Sequence, residues 1–395
     1  MLEPTAQDLL PTSTARATPP MTSPELRRSG FPIGCTEVPF YYGYRCEDAL
    51  FRSVLPYLGV GKVVLVIDEN VRGIADRLSA VLEHAGHELI STYFRASEDL
   101  KTLDEVQRLC NEAFAHGATR ASVVISVGGG ITENIAGMVA GLMFRGLPLL
   151  HLATTPVGAF DAVLSRKQAV NLSQTKNCLG LFLTPVYLGT DLQWLERIDP
   201  ILQRTSLAEM AKNVLICLPA EQERFLEAVA CLDVDPELSW TTLFGIGFEG
   251  KRELLRKDPN EKSDALVFEY GHTVGHAIET FGYPHAESIG WGMLVACDIA
   301  LAMGIGDATL RPAHDRLLHP LGIRRSAPPP VDIDETMRRV ARDNKRGYLP
   351  GCASDDYAFV LLDSVGNVHT GTPPLTRVPE SVVCECLTAF LAGRS

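Results

Sequence analysis

Short apolar runs alternate with longer amphipathic stretches through the first half of this chain. β-rich segments lie near VPFYYGY, KVVLVIDE, ELISTYF, ASVVISVG, LPLLHLAT and VYLGTD, between about residues 36 and 190, and helical periodicity fills most of the gaps. Strand and helix repeated in that order predict a mostly parallel sheet covered by helices. From about 191 to 325 the pattern becomes helical with few β-branched runs, which predicts a second, mainly α-helical domain. A strand-like run, YAFVLLDS, and a closing helix near 379–392 finish the chain. The boundaries are therefore 1–30 for an N-terminal tail, 31–190 for the α/β domain and 191–395 for the helical one. The tail is rich in Pro, Thr, Ser and Ala, lacks an apolar run long enough for a signal peptide, and is expected to be flexible.

Composition narrows the function classes. The chain has 395 residues, 46% of them hydrophobic, enough for two ordinary cores. A formal charge of −12 argues against a nucleic-acid partner, since a phosphate backbone needs a basic face. Ten cysteines show no C-x-x-C pairing, so reduced thiols and a cytoplasmic setting are expected. No stretch approaches the ~20 apolar residues of a membrane span.

Chemistry concentrates in the helical half. In EYGHTVGHAIE, His272 and His276 are four apart and share a helix face, which His285 in PHAES and Glu209 in SLAEMAKN can close. Two or three imidazoles with one carboxylate suit zinc, cobalt or iron and leave a position open for substrate. Gly271 and Gly275 beside the imidazoles weaken a helix, which predicts a close approach there, with a metal and a polar ligand as candidates. Glu269 and Glu279 add carboxylates nearby.

The first half offers an anion site. ASVVISVGGGITENIAG reads as a strand, three glycines and a helix, so that backbone amides and the helix dipole can face a pyrophosphate. Asp68 and Asn70 end the strand KVVLVIDEN, where they could bond a ribose or adenine. Together these favour a dinucleotide in the cleft between the halves. Arg145, Lys167, Lys176, Lys212, Lys251 and Lys345 lie in polar or loop-like surroundings such as FDAVLSRKQAVN, SQTKNCLG and RDNKRGY, which suits a phosphate pocket.

Jointly, GGGITENIAG, MFRG, TT before DAVLSRKQAVN, TKN, AEMAKN, EYGHTVGHAIE, HAES and DNKRG resemble the dehydroquinate synthase family of sugar phosphate cyclases, in order and spacing, over about residues 36–390. The resemblance implies an α/β N-terminal Rossmann-like parallel-sheet domain that binds NAD and a mainly α-helical C-terminal domain that binds metal and substrate. It implies one divalent metal, Co2+ or Zn2+, on Glu209, His272 and His285, with His276 facing the phosphate instead. NAD contacts fall on Asp68, Asn70, Glu98, Lys101, Gly129, Gly130, Asn134, Thr154, Thr155, Asp161 and Lys176. Substrate and phosphate contacts fall on Arg145, Lys167, Asn177, Lys212, Lys251, Glu261 and Lys345, and catalytic roles on Lys167, Lys212, Lys251, Glu269 and His276. The family also implies a homodimer acting on a small sugar phosphate.

Two positions choose a branch. Seven residues before His272, where the family's namesake keeps an arginine for its substrate's carboxylate, this chain has Ala265, which favours a neutral sugar. Three residues before His272 it has Glu269 where the namesake has asparagine, and a carboxylate can take a proton. LSRKQAVN, FEYGHTVGHAIE and DNKRGY resemble the branch that converts glucose 6-phosphate to a carbocycle for aminoglycoside (2-deoxystreptamine) antibiotics. That conversion is a carbon–oxygen lyase reaction with transient C4 oxidation, phosphate elimination, re-reduction and aldol closure. The alternatives are another cyclase, of the 3-dehydroquinate or 2-epi-5-epi-valiolone type, a metal- and NAD-dependent polyol dehydrogenase, or an inactive structural paralogue. Departures from the family pattern are Glu133 in the glycine loop, Pro156 after the paired threonines and Arg166 before Lys167. Glu133 is expected to bring negative charge to the pyrophosphate unless it points to solvent.

Overall fold

The computed structural model describes residues 25–172, 175–326, 328–349 and 355–393. Its first half is a seven-stranded sheet ordered β1-β2-β9-β6-β5-β3-β4. The strands are β1 (Arg27–Ile33), β2 (Thr36–Gly43), β3 (Val63–Asp68), β4 (Leu89–Phe94), β5 (Val123–Gly128), β6 (Leu149–Ala153) and β9 (Tyr187–Asp191). The β1–β2 pair is antiparallel and every other neighbouring pair is parallel. All six runs read from the sequence are strands of this sheet. Helices α1 (Glu47–Ser53), α2 (Arg72–His84), α3 (Leu103–Ala115) and α4 (Gly130–Leu142) cover it. Strands β3 and β5, buried on both faces, are the near-continuous Val/Ile runs expected of a parallel interior.

Two sequence expectations need correction. β1 takes residues 27–30, which had been placed in the tail; the alternation of RRSGFPI is short and begins with charge. Residues 1–24 of that tail lie outside the described residues. KQAVN and TKNCLG, read as parts of loops, lie in an antiparallel pair of strands, β7 (Lys167–Leu172) and β8 (Thr175–Phe182), whose polar, functional side chains hide the strand period.

The second half is helical: α5 (Pro200–Thr205), α6 (Ala208–Ile216), α7 (Gln222–Ala230), α8 (Pro236–Lys257), α9 (His272–Glu279), α10 (His285–Ala302), α11 (Leu310–Leu318), α12 (Ile333–Val340) and α13 (Glu380–Leu391). YAFVLLDS divides between β10 (Asp356–Phe359), paired to β13 (Thr376–Pro379), and β11 (Leu362–Ser364), paired to β12 (Asn367–Val368). The halves share one core: Phe31 of β1 packs edge-on to Phe248, and Phe40 of β2 to Phe244, both on α8. No helix among the described residues is long and apolar enough to cross a membrane.

Helix α9 sits unusually close to α10. Gly271 has φ +79°, open to glycine, and a Cβ there would meet Met293 Cγ at 2.6 Å and the Ile289 carbonyl at 2.8 Å. A Cβ on Gly275 would stand 2.9 Å from Ile289 Cα, and one on Gly292 2.0 Å from the Gly271 carbonyl. The approach expected from these glycines is thus helix against helix, not backbone against a ligand. It sets the start of α9 against the second and third turns of α10, with the His272 and His285 rings 5.8 Å apart.

Two buried histidines have no share in chemistry. Burial pushes His151 down to about 3 and His314 down to about 4. His314 donates from Nδ1 to the Leu310 carbonyl (2.7 Å) and accepts the Tyr270 hydroxyl at Nε2 (2.7 Å), an arrangement that suits the neutral ring. Its folded pKa lies below the unfolded 6.5, so its stabilising share is complete above pH 6.5 and is lost as pH falls towards 4. Wild type should therefore lose about 2 kcal/mol more than His314→Gln between pH 6.5 and 4.5. Urea unfolding at both pH values checks this, and equal slopes would remove His314 from the acid response.

Candidate functional site

The parallel strands end together at one edge. β3 leads to β4 on one side while β5 returns to the other, so the winding reverses between β3 and β5, where α/β sheets bind ligands. Asp68 ends β3 and accepts from the Asn70 backbone (3.1 Å) and side chain (3.0 Å). β5 ends at Gly128, Gly129 is extended, and α4 begins at Gly130. A Cβ on Gly129 would strike Thr155 Oγ1 at 2.7 Å, whereas Gly130 faces only Ala162 at 3.4 Å and Glu133 Oε2 at 4.0 Å. The Thr154 and Thr132 hydroxyls beside this turn have no hydrogen-bond partner among the described residues. Glycines at a helix N-terminus with orphaned buried donors fit a dinucleotide. Pro156 starts the helical turn that Thr155 caps through the Gly158 amide (3.1 Å), where proline forfeits no hydrogen bond. Arg166 stacks over Phe182 (5.6 Å) and so braces the hairpin.

The hairpin β7–β8 hangs over this edge. Asn134 joins it to α4, accepting the Ala169 amide (2.9 Å) and donating to the Gly130 carbonyl (2.8 Å). Lys101 donates to Asn177 (2.5 Å), and Asn171, a residue the sequence reading passed over, holds both Glu98 (2.8 Å) and the Asn177 amide (3.0 Å).

From the helical side, Glu209 on α6, His272 on α9 and His285 on α10 converge. Glu209 Oε1 lies 3.6 Å from His272 Nε2 and 3.3 Å from His285 Nε2. The edge of a tetrahedral zinc-like site is about 3.3 Å, so one cation can reach all three atoms. Each imidazole is oriented through its other nitrogen: His272 Nδ1 faces the Tyr270 carbonyl (3.1 Å) and His285 Nδ1 faces Glu279 Oε2 (3.1 Å). Burial lowers His272 to about 4; burial also pushes His285 down, but Glu279 and Glu209 outweigh it and carry it to about 10. Burial would raise Glu209, yet Lys212, bonded to its Oε2, and the imidazoles hold it well below the ordinary range. His276, Glu279 and His285 form a second close triad. There, however, His285 Nδ1 and Lys176 (2.5 Å) already engage Glu279. The first triad is the better metal seat, and the His276 ring stands 5.0 Å from that of His272, beside it.

Five lysines enter the crevice, each with a carboxylate. Lys167 bonds Glu261 (2.8 Å), which Ser165 also holds (2.7 Å), and lies 4.0 Å from Glu269. Lys251 pairs with Asp161 (2.5 Å), Lys345 with Asp343 (2.6 Å) and Glu269 (3.4 Å), and Lys176 with Glu98 (3.1 Å) and Glu279. Lys212 pairs with Glu209. Burial alone would raise the Glu269 carboxyl, but Lys345, then His272, Lys167 and His276, hold it well below the carboxylate range. The structure does not bring Arg145 to this cluster: it is exposed just beyond α4, roughly 20 Å from that helix's start. Sequence reasoning missed Ser165, Asp343 and the hold of Glu279 on His285. Glu279 had one legible signal, a helical spacing of three from His276.

Residues 91–204 match the family model "3-dehydroquinate synthase N-terminal" and residues 206–346 "3-dehydroquinate synthase C-terminal". The chain belongs to the dehydroquinate synthase family. It is 35% identical over 360 residues to the 2-deoxy-scyllo-inosose synthase of Streptomyces kanamyceticus, covering 88% of this chain and 90% of that protein. It is 37% identical over 276 residues to that of Niallia circulans, covering 69% and 75%. A crystal structure of 2-deoxy-scyllo-inosose synthase complexed with carbaglucose-6-phosphate, NAD+ and Co2+ superposes with TM-score 0.84 and 31% identity, covering 93% of this chain and 100% of that one. A 2-epi-5-epi-valiolone synthase from Streptomyces hygroscopicus shares the fold at 22% identity and TM-score 0.77.

Replacing Glu279 by Gln should weaken divalent-metal affinity by about 10–100-fold, because His285 loses its orienting carboxylate. His272→Ala should lose metal and activity together. Metal content after dialysis against a graded chelator checks both; a metal-replete His272→Ala protein would overturn the ligand assignment.

Proposed function

We propose that this chain is a sugar phosphate cyclase that converts D-glucose 6-phosphate to 2-deoxy-scyllo-inosose and phosphate, a carbon–oxygen lyase of aminoglycoside biosynthesis using NAD and one divalent metal. The observation that carries this reading is a ligand triad and a phosphate-competent lysine cluster meeting in one crevice, with Glu269 between them. The curated relatives and the solved complex support it. Ala265 is fully buried among apolar residues, so the pocket provides no cation there for a substrate carboxylate, in keeping with a neutral sugar.

Glu209, His272 and His285 would hold a divalent metal that would supply Lewis acidity, and the glycine turn at the start of α4 would hold NAD, which would supply reversible hydride exchange at C4 without net consumption. Lys167 and Lys345 grip the C6 phosphate in exchange for their present carboxylates. Losing those cations to the phosphate raises the basicity of Glu269, which then takes the C5 proton acidified by a C4 ketone. Departure of phosphate from C6 is assisted by the same lysines and by His276. Lys251 and Lys212 hold Asp161 and Glu209 in place through their ion pairs. Orientation in the closed crevice then favours the aldol union of C6 with C1.

Glucose 6-phosphate with catalytic NAD should yield inorganic phosphate and carbocycle without net NADH, followed by phosphate assay, absorbance and product NMR. Stoichiometric NADH with no phosphate would make the protein a polyol dehydrogenase instead. Glu269→Gln should keep metal and NAD bound while slowing phosphate release by about a hundredfold or more; unchanged turnover would remove Glu269 from proton transfer.

A further inference from the structure

Glu133, on the first turn of α4, is only 2% exposed, and among the described residues neither of its carboxyl oxygens has a hydrogen-bond partner. It does not point to solvent. A Cβ on Gly158 would lie 2.7 Å from Glu133 Oε1 and 3.0 Å from Thr155 Oγ1, and one on Gly130 lies 4.0 Å from Oε2, so the carboxyl group stands between the glycine turn and the Thr155 turn. The orphaned hydroxyls of Thr132 and Thr154 belong to the same two turns. Among the described residues, the charge that acts on it is Asp161, itself paired with Lys251. Burial first, and Asp161 second, push the Glu133 carboxyl well above the ordinary range, in favour of its protonated form.

A buried acid with both oxygens unmatched weakens a fold, and such a group calls for a partner that the chain does not supply. The wall it occupies is the one assigned above to NAD, at a helix start that favours an anion. An ionised carboxylate there would repel a diphosphate; a protonated one can donate to it, with a charged acceptor making the stronger bond. We propose that Glu133 is a neutral hydrogen-bond donor to the dinucleotide diphosphate and sets the affinity of this chain for NAD. The proposal rests on the placement of the dinucleotide at α4.

Calorimetric titration with NAD+ and thermal unfolding, each on the full chain, test it. Glu133→Gln, which keeps a donor without charge, should bind NAD+ within about threefold of wild type. Glu133→Ala should bind about tenfold or more weakly, while the NAD-free protein melts at the same temperature or higher because an unmatched acid is gone. Lower melting of NAD-free Glu133→Ala would mean a structural role and overturn the proposal. So would NAD+ binding by Glu133→Ala as tight as wild type, or a loss in Glu133→Gln equal to that in Ala. Gly130→Val separates the two levels: if it abolishes binding while Glu133→Ala does not, the donor role fails and the placement stands. If neither variant changes binding, the placement fails as well.

Discussion

Five crevice lysines, Lys167, Lys176, Lys212, Lys251 and Lys345, are each held by a carboxylate, and that pairing is the constraint on which the site depends. Ammonium groups such as Lys212 and Lys345, almost wholly withdrawn from water, can stay charged only with a counter-ion at hydrogen-bond distance. Three of the pairs run between elements that are far apart in sequence: β7 to the segment after α8, β8 to α9, and α8 to the turn after β6. Assembling the charges and closing the crevice are therefore one event. The same arrangement leaves cations, already withdrawn from water, that a phosphate can recruit.

The metal seat depends on something quite different, the absence of side chains. Gly271, Gly275 and Gly292 let α9 and α10 approach until backbone meets backbone, and the first residues of both helices, His272 and His285, come to share one carboxylate oxygen. A single methyl group at Gly292 would collide with the Gly271 carbonyl and spread the helices. Packing sets the ligand distances here, and hydrogen bonds donated to the Tyr270 carbonyl and the Glu279 carboxylate set the ring orientations.

Much of this was legible before any coordinates. Short apolar runs placed the sheet strands because buried parallel strands are continuously apolar, and helical spacing put His272 and His276 on one face, while only the family resemblance singled out Glu209, His272 and His285 as a set. The β7–β8 hairpin was not legible, since Lys167, Asn171, Lys176 and Asn177 serve the crevice and break the alternation that marks a strand. The purpose of the glycines was misread for a related reason: sequence shows that a close approach exists but not what approaches. The fate of Glu133 was equally hidden, because only the packing of the Thr155 turn against α4 decides whether that side chain reaches water. Arg145 shows the reverse limit, a motif residue whose position in the fold lies well away from its expected companions.

The aromatic seam between the first hairpin and α8 has a mechanical consequence. Phe31 and Phe40 are locked edge-on into Phe248 and Phe244, so the sheet and the helical bundle cannot swing apart as two jaws without tearing open a hydrophobic interior. The β7–β8 hairpin is anchored in the same fashion on the other face of the sheet, since Val170 is fully buried in the core that includes α4 and Leu179 and Leu181 pack against it.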